Sequence, residues 1–145
     1  NLLIEKFNLS KPIIKLHEQG MPIYGSCAGA IVLAKTIKHS TQPKLGIMNI
    51  EIKRNDYGRQ IDSFETNIKI EEETLNHAAF RGIFIRAPII TNIGADCQVL
   101  AEHNNHPILV RQNNLLVSTF HPELTKDSRI HKYFLSMITK PLTQQ

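Results

Sequence analysis

The sequence predicts an α/β fold in which a mixed sheet carries an antiparallel extension. Strand and helix patterns alternate over the first forty residues, short strand patterns dominate from residue 45 onward, and an amphipathic pattern follows near the end. Alternation of strands with helices is typical of sheets with parallel strands, whereas successive short strands indicate hairpins. The 145 residues are enough for a single domain, 1–145, with a sizeable core.

The first forty residues alternate between helix and strand signals. Residues 2–7 resemble the end of a helix. Ser10, followed by Lys and Pro, predicts a capped helix that runs to Gln19. The apolar residues 21–24 predict a short buried strand, and residues 30–37 predict a helix with one apolar face.

The middle of the chain is predicted to be mainly strands, followed by one helix. The predicted strands cover residues 45–53, 61–70, 82–86, 99–102, 108–111 and 115–120. Asn113 and Asn114 are typical of a tight hairpin turn between the last two. Residues 128–139 predict a helix whose inward face carries Phe134, Leu135 and Ile138.

Composition and charge argue against several functional classes. Lys and Arg exceed Asp and Glu by 17 to 13, and this mild excess is spread out rather than gathered into a nucleic-acid-binding block. The longest apolar run, 83–93, is interrupted by Arg86 and Pro88 and is too short to span a membrane. Two cysteines do not form a disulfide scaffold, which favours a reducing, cytoplasmic setting.

The sequence Gly-Ser-Cys-Ala-Gly at residues 25–29 is the strongest chemical signal. It lies between a predicted strand and a predicted helix, the position of a nucleophile elbow, where small neighbours allow a sharp turn that exposes the nucleophile. The following helix N-terminus is expected to lower the pKa of the Cys27 thiol. A buried structural cysteine in a glycine-rich turn is the alternative, and Cys27 alone does not decide between the two.

A base and its orienting group are available near the C-terminus. His121 follows a predicted strand and precedes Pro122 and Glu123. Residues two apart in an extended segment point to the same side, so the imidazole and the carboxylate can project together. In this arrangement Cys27 attacks, His121 transfers the proton, and Glu123 orients the imidazole. A solvated strand-end turn is the alternative.

Together these motifs form a pattern that extends over almost the whole chain. They are Met-Pro-Ile-Tyr-Gly-Ser-Cys-Ala-Gly-Ala at 21–30, Arg-Asn-Asp-Tyr-Gly-Arg-Gln at 54–60, Asp-Ser-Phe-Glu at 62–65, Phe-Ile-Arg-Ala-Pro at 84–88, and Phe-His-Pro-Glu-Leu-Thr at 120–125. The elbow and the His-Pro-Glu resemble class I glutamine amidotransferases. The complete succession resembles the glutaminase subunit of pyridoxal 5′-phosphate synthase, and the block at 54–60 is its most discriminating part.

The resemblance implies a three-layer class I glutamine amidotransferase (flavodoxin-like) fold with a mixed sheet. It implies a catalytic triad of Cys27, His121 and Glu123. It also implies glutamine binding by Arg54, Ile85 and Arg86, and an oxyanion contact from the backbone N–H of Ala28.

The implied reaction is hydrolysis of L-glutamine to glutamate and ammonia. The ammonia would pass to a separate synthase subunit that makes pyridoxal 5′-phosphate, in a hetero-oligomeric complex. No metal or other cofactor is implied, and no contact with nucleic acid or membrane is expected.

The sequence departs from the family pattern in one respect. The upstream Gly-Gly-Glu-Ser element, which supplies the other half of the oxyanion hole in these relatives, has no counterpart in the 145 residues. We therefore expect the chain to lack the N-terminal strands of the family fold. If it is the whole molecule, we expect weak folding and little or no glutaminase activity. Two alternatives stay open: another Cys-His-Glu γ-glutamyl hydrolase, or a truncated, non-catalytic relative that binds a partner.

Overall fold

The computed structural model describes residue 4 and residues 8–55, 63–71, 75 and 79–139. The helical elements with described bounds are α1 Ser10–Glu18, α2 Ala28–Leu33, the 3₁₀ turn Pro122–Leu124, and α3 Arg129–Thr139. The strands are β1 Ile23–Ser26, β2 Ala34–Ile37, β3 Met48–Lys53, β4 Ser63–Ile68, β5 Phe80–Ile85, β6 Ile89–Ile93, β7 Gln98–His103, β8 His106–Gln112 and β9 Leu115–Ser118.

The described strands form sheets with both parallel and antiparallel pairs. One sheet has the order β1-β9-β8-β7, a second has the order β2-β3-β6, and β4 pairs with β5. The β1–β9 and β2–β3 pairs are parallel, and the others are antiparallel. The predicted α/β class with a mixed sheet is therefore confirmed, and the antiparallel part follows from the hairpins of the middle segment.

Strand β9 divides the core into two clusters. Its four residues are all buried, because elements cover both faces. Leu116 packs into a cluster that includes α3 and Phe120, whereas Leu115 and Val117 pack into a cluster around α2 and β3. Successive strand residues point to opposite faces, so one four-residue strand serves both cores. Because β9 is packed on both faces, the residues at its end are held in a fixed position.

The helix predicted at 30–37 is wrong in its second half. Helix α2 ends at Leu33, and Ala34–Ile37 forms β2, which pairs in parallel with β3. Ala34 and Ile37 are buried, while Lys35 and Thr36 are exposed. β-Branched residues suit a strand, and the free edge of β3 supplies backbone hydrogen bonds that a local pattern does not reveal.

The predicted inward face of the last helix is also partly wrong. Leu135 and Ile138 are 57% and 42% exposed, and only Phe134 packs partly against the core. The buried face instead carries Ile130, Tyr133 and Met137, at the helical spacing of three and four residues.

Strand β6, Ile89–Ile93, was not predicted, because its pairing with the distant strand β3 leaves no local pattern after Pro88. The boundaries of the other predicted elements differ only slightly from prediction. Helix α1 begins with Leu9 at its cap and no side-chain cap bond, so Ser10 lies inside the helix rather than capping it. Apart from Ile4, the predicted helix end at 2–7 lies outside the described residues, as do 56–62. Within the described part of the chain, no helix is long and apolar enough to cross a membrane.

Candidate active site

The Cys27 elbow is a strained turn between β1 and α2. Cys27 adopts φ 51° and ψ −104°, a conformation that non-glycine residues rarely adopt. Its backbone N–H donates a 2.8 Å hydrogen bond to the carbonyl of Ser118, the last residue of β9. Strain of this kind persists only where the surrounding structure holds it, and it is concentrated at functional sites. The predicted elbow is therefore present.

Of the two glycines that flank Cys27, only Gly25 lies where a side chain would clash with neighbouring atoms. A Cβ at Gly25 would lie 2.6 Å from the backbone carbon and oxygen of Gly29. A Cβ at Gly29 would meet no atom within 4 Å. Gly25 is therefore the residue that allows the start of α2 to close against the end of β1.

His121 and Glu123 meet as the sequence predicts. The imidazole Nδ1 lies 2.6 Å from Glu123 Oε2, and the side chains are 21% and 44% exposed. The backbone N–H of His121 donates to the carbonyl of Ile83 in β5 at 2.9 Å. Pro122 begins the 3₁₀ turn that brings Glu123 back towards the ring. A carboxylate at Nδ1 orients the ring and leaves Nε2 for proton transfer.

The thiol environment differs from the sequence prediction. Burial raises the pKa of Cys27 above its ordinary value of 9.0, the backbone N–H of Ala28 lowers it, and the Glu123 charge raises it further. The predicted lowering by the helix is wrong on balance, because α2 has only six residues and desolvation of the thiolate has the larger effect.

One cleft of about 300 Å³ gathers most of the predicted site residues. Its lining consists of Cys27, Ala28, Ile31, Arg54, Asn55, Ile85, Arg86 and Pro88. The Cys27 Sγ lies 4.0 Å from the carbonyl oxygen of Ile85. Cys27, Ala28 and both arginines thus line one space that is large enough for a small amino acid.

The two arginines reach the cleft in different ways. Arg54 follows β3 and donates to the side-chain oxygen of Gln42. Arg86, predicted as the last residue of the strand 82–86, is exposed and follows the end of β5, with φ 47°. β5 ends at Ile85 because the positive φ of Arg86 is incompatible with an extended strand. The residues at this turn, Ile85, Arg86 and Pro88, line the cleft. Residues 56–60 of the discriminating block lie outside the described residues.

His103, the last residue of β7, packs against two aromatic rings. The His103 ring lies 5.5 Å from Phe64 and 5.8 Å from Phe84, centroid to centroid. Among the described residues, no group of three or more His, Cys, Asp or Glu could hold a metal ion.

An ion pair that sequence reasoning left without a role supports the turn after Glu123. The Arg129 guanidinium contacts both Asp127 carboxylate oxygens, and it also donates to the carbonyls of Leu75 and Ala79. The two residues therefore join the start of α3 to the segment that leads into β5. The sequence around Asp127 and Arg129 does not indicate that Arg129 donates to the distant carbonyls of Leu75 and Ala79.

This ion pair predicts a specific acid sensitivity. The Arg129 guanidinium holds the pKa of the Asp127 carboxyl below its ordinary value of 3.8. A lower pKa in the folded state stabilises the protein above the unfolded pKa, and this stability is lost as the pH falls through the folded value. We expect Asp127→Asn to lower the urea midpoint at neutral pH, and the difference from the parent to shrink below about pH 4. Urea unfolding followed by circular dichroism at several pH values tests this. A difference that stays constant into strong acid would contradict it.

Comparison with known proteins agrees with this geometry. The model of the SNO glutamine amidotransferase family matches residues 1–140. A "Pyridoxal 5′-phosphate synthase subunit PdxT" from Desulforamulus reducens is 49% identical over 136 residues, which is 94% of this chain and 71% of the relative. A protein of the same name from Moorella thermoacetica is 48% identical with the same coverage.

A solved structure, "Crystal structure of glutamine amidotransferase", superposes with a TM-score of 0.86 at 42% identity. It covers 94% of this chain and 71% of that one. This similarity confirms the predicted class I glutamine amidotransferase fold. The chain belongs to the SNO glutamine amidotransferase family.

Proposed function

We propose that the protein hydrolyses glutamine through Cys27, His121 and Glu123 and supplies the ammonia to a synthase that makes pyridoxal 5′-phosphate. The parallel pairing of β1 with β9 is the observation that carries the proposal. Ser26 lies opposite Ser118 in this register, so the residues that follow both strands emerge at the same edge of the sheet. This register supports a shared site for Cys27, which follows β1, and the His121–Glu123 pair, which follows β9.

The reaction follows from the roles of these groups. The Cys27 thiolate adds to the side-chain amide carbon of glutamine, and His121 accepts the thiol proton. His121 then protonates the departing nitrogen, ammonia leaves, and a thioester remains. Water, deprotonated by His121, attacks the thioester and releases glutamate and the thiol. Glu123 stabilises the imidazolium in both steps.

The Ala28 amide and the arginines supply the remaining contacts. Ala28 follows the nucleophile and lines the cleft, the position from which a backbone N–H stabilises the tetrahedral oxyanion. Such a donor contributes about 3–4 kcal/mol to the transition state. Arg54 and Arg86 offer planar donor pairs for the α-carboxylate of free glutamine, and Ile85 lines the cleft beside them.

The relatives favour a function within a complex. The named relatives are synthase subunits. We propose the same assembly here, with the synthase subunit docking near the cleft in a reducing, cytoplasmic setting.

A glutamine-analogue affinity label tests the proposal directly. A diazoketone analogue of glutamine is added with and without the synthase subunit, and the modified residue is identified by mass spectrometry. We expect label on Cys27, faster with the synthase, and no label on Cys97, which lies outside the cleft. Label on neither cysteine in both conditions would favour a non-catalytic, partner-binding role. If other γ-glutamyl compounds protect Cys27 from the label better than glutamine does, the result would favour the alternative of another γ-glutamyl hydrolase.

Substrate binding by Arg86 gives a separate prediction. We expect Arg86→Ala to raise KM for glutamine about 10- to 100-fold, because a charged hydrogen bond to the carboxylate is lost, and to change kcat less. Steady-state ammonia release in the presence of the synthase measures both. Arg81→Ala is the matched control, because Arg81 lies on β5 outside the cleft and contacts Asn67 and Glu65. Equal KM values for the two variants would argue against the assigned role.

A further inference from the structure

Ser118 lies between the two halves of the candidate site. It is the last residue of β9 and is 0% exposed. Its backbone carbonyl accepts the 2.8 Å hydrogen bond from the N–H of Cys27. Its hydroxyl donates to the carbonyl of Phe120 at 2.9 Å. One buried residue is thus bonded both to the nucleophile's backbone and to the residue that precedes the base.

The peptide unit between Phe120 and His121 is held from both sides. Its carbonyl accepts from the Ser118 hydroxyl, and its N–H donates to Ile83 at 2.9 Å. A peptide plane with both polar groups bonded cannot rotate without breaking one of them. The Cα that carries the His121 imidazole is attached directly to this peptide unit. The position of the imidazole relative to β9 therefore depends on the hydrogen bond from the Ser118 hydroxyl.

Tyr24 completes the arrangement. Its hydroxyl lies 2.7 Å from Ser118 Oγ, and the single Ser118 proton is already donated to Phe120, so Tyr24 is the donor. The Tyr24 ring packs against His131 and Phe134 of α3, with ring centroids 6.2 and 5.7 Å apart. Burial raises the pKa of Tyr24, which keeps the phenol protonated and able to donate. The donor is therefore fixed by α3 rather than by the site itself.

We infer that Ser118 is a positioning residue, and that its carbonyl and its Tyr24-supported hydroxyl together set the position of His121 relative to Cys27. This inference rests on the proposed function, since it concerns the geometry of that hydrolysis. Ser118 is not among the residues that line the cleft, and its hydrogen bonds reach the backbone of Cys27 and of Phe120. Its removal should therefore change the rate of the chemical step and leave substrate binding largely intact.

Kinetics of three variants in the complex with the synthase subunit test the inference. We expect Ser118→Ala to lower kcat for ammonia release about 10- to 100-fold, as small misplacements of reacting groups do, with KM within about twofold of the parent. Tyr24→Phe should cause a smaller loss, because the Ser118–Phe120 bond remains. The double variant should be no slower than Ser118→Ala, because Tyr24 acts through Ser118. Tyr133→Phe is the control: it removes a hydroxyl bonded to Arg111, away from the site, and should leave kcat unchanged.

Several results would overturn the inference. They are a folded Ser118→Ala variant with kcat within twofold of the parent, a loss confined to KM, or a double variant whose loss equals the product of the two single losses. If Ser118→Ala does not fold, Tyr24→Phe decides alone. An unchanged kcat then overturns the inference, and a lower kcat at constant KM supports it.

A spectroscopic measurement separates this inference from the proposed function. Should the parent release no ammonia with the synthase, the proposed function fails, but the ¹H–¹⁵N resonances of the His121 ring still report its position. We expect Ser118→Ala and Tyr24→Phe to shift these resonances and Tyr133→Phe to leave them in place. Unchanged His121 resonances in both site variants would refute the positioning role whatever the activity.

Discussion

Replacement of Cys27 by serine is expected to lower kcat for glutamine hydrolysis by about 10⁴- to 10⁶-fold, since loss of the nucleophile removes the covalent step. The fold should survive, because the strain of the elbow resides in the backbone and a serine hydroxyl is no larger than a thiol. Ammonia release in the complex with the synthase, together with the thermal midpoint, measures both effects.

Cys97→Ser is the matched control for this prediction. The Cys97 thiol contacts Asn49 and Gln112 at 3.5 Å, and a serine hydroxyl can keep either contact. We expect kcat within about twofold of the parent, because Cys97 is half-buried outside the cleft and the substitution is nearly isosteric. Retention of substantial activity by Cys27→Ser, or its loss in Cys97→Ser, would contradict the assignment of Cys27 as the nucleophile.

Replacement of Gly25 by alanine is expected to disrupt both stability and activity. The new Cβ would lie 2.6 Å from backbone atoms of Gly29, and backbone cannot move aside as a flexible side chain can. We expect a loss of about 1–3 kcal/mol in the free energy of unfolding, as for overpacked cores. Separation of β1 from α2 would also displace Cys27, so kcat should fall with the stability.

Gly29→Ala distinguishes this effect from a general intolerance of the glycine motif. A Cβ at Gly29 meets no atom within 4 Å, and alanine favours a helix over glycine by about 1 kcal/mol. We therefore expect Gly29→Ala to unfold at an equal or higher urea concentration than the parent. Equal destabilisation by the two substitutions would show that the close backbone approach at Gly25 is not the cause.

Local sequence patterns identified the candidate catalytic residues, but they did not predict the environment and the supporting contacts of these residues. The pair His121 and Glu123 could be predicted because the spacing of two, with Pro122 between, is a local property, and the structure joins them at 2.6 Å. The protonation preference of Cys27 could not be predicted, because burial of the thiol by distant elements outweighs the short helix after it. Ser118 and Tyr24 were missed because they are ninety-four residues apart, and neither residue type marks a site by itself.

The α/β class, the elbow at Cys27 and the identities of the proposed base, its partner and the arginines could be predicted from the amino-acid sequence. These features follow from residue types and from spacings of a few positions, which short-range geometry fixes. The folded structure was needed to show that Ala34–Ile37 is a strand, which face of α3 is buried, and that β1 and β9 end at one edge. These outcomes depend on which distant segments supply backbone partners and exclude water, and no local pattern records those partners.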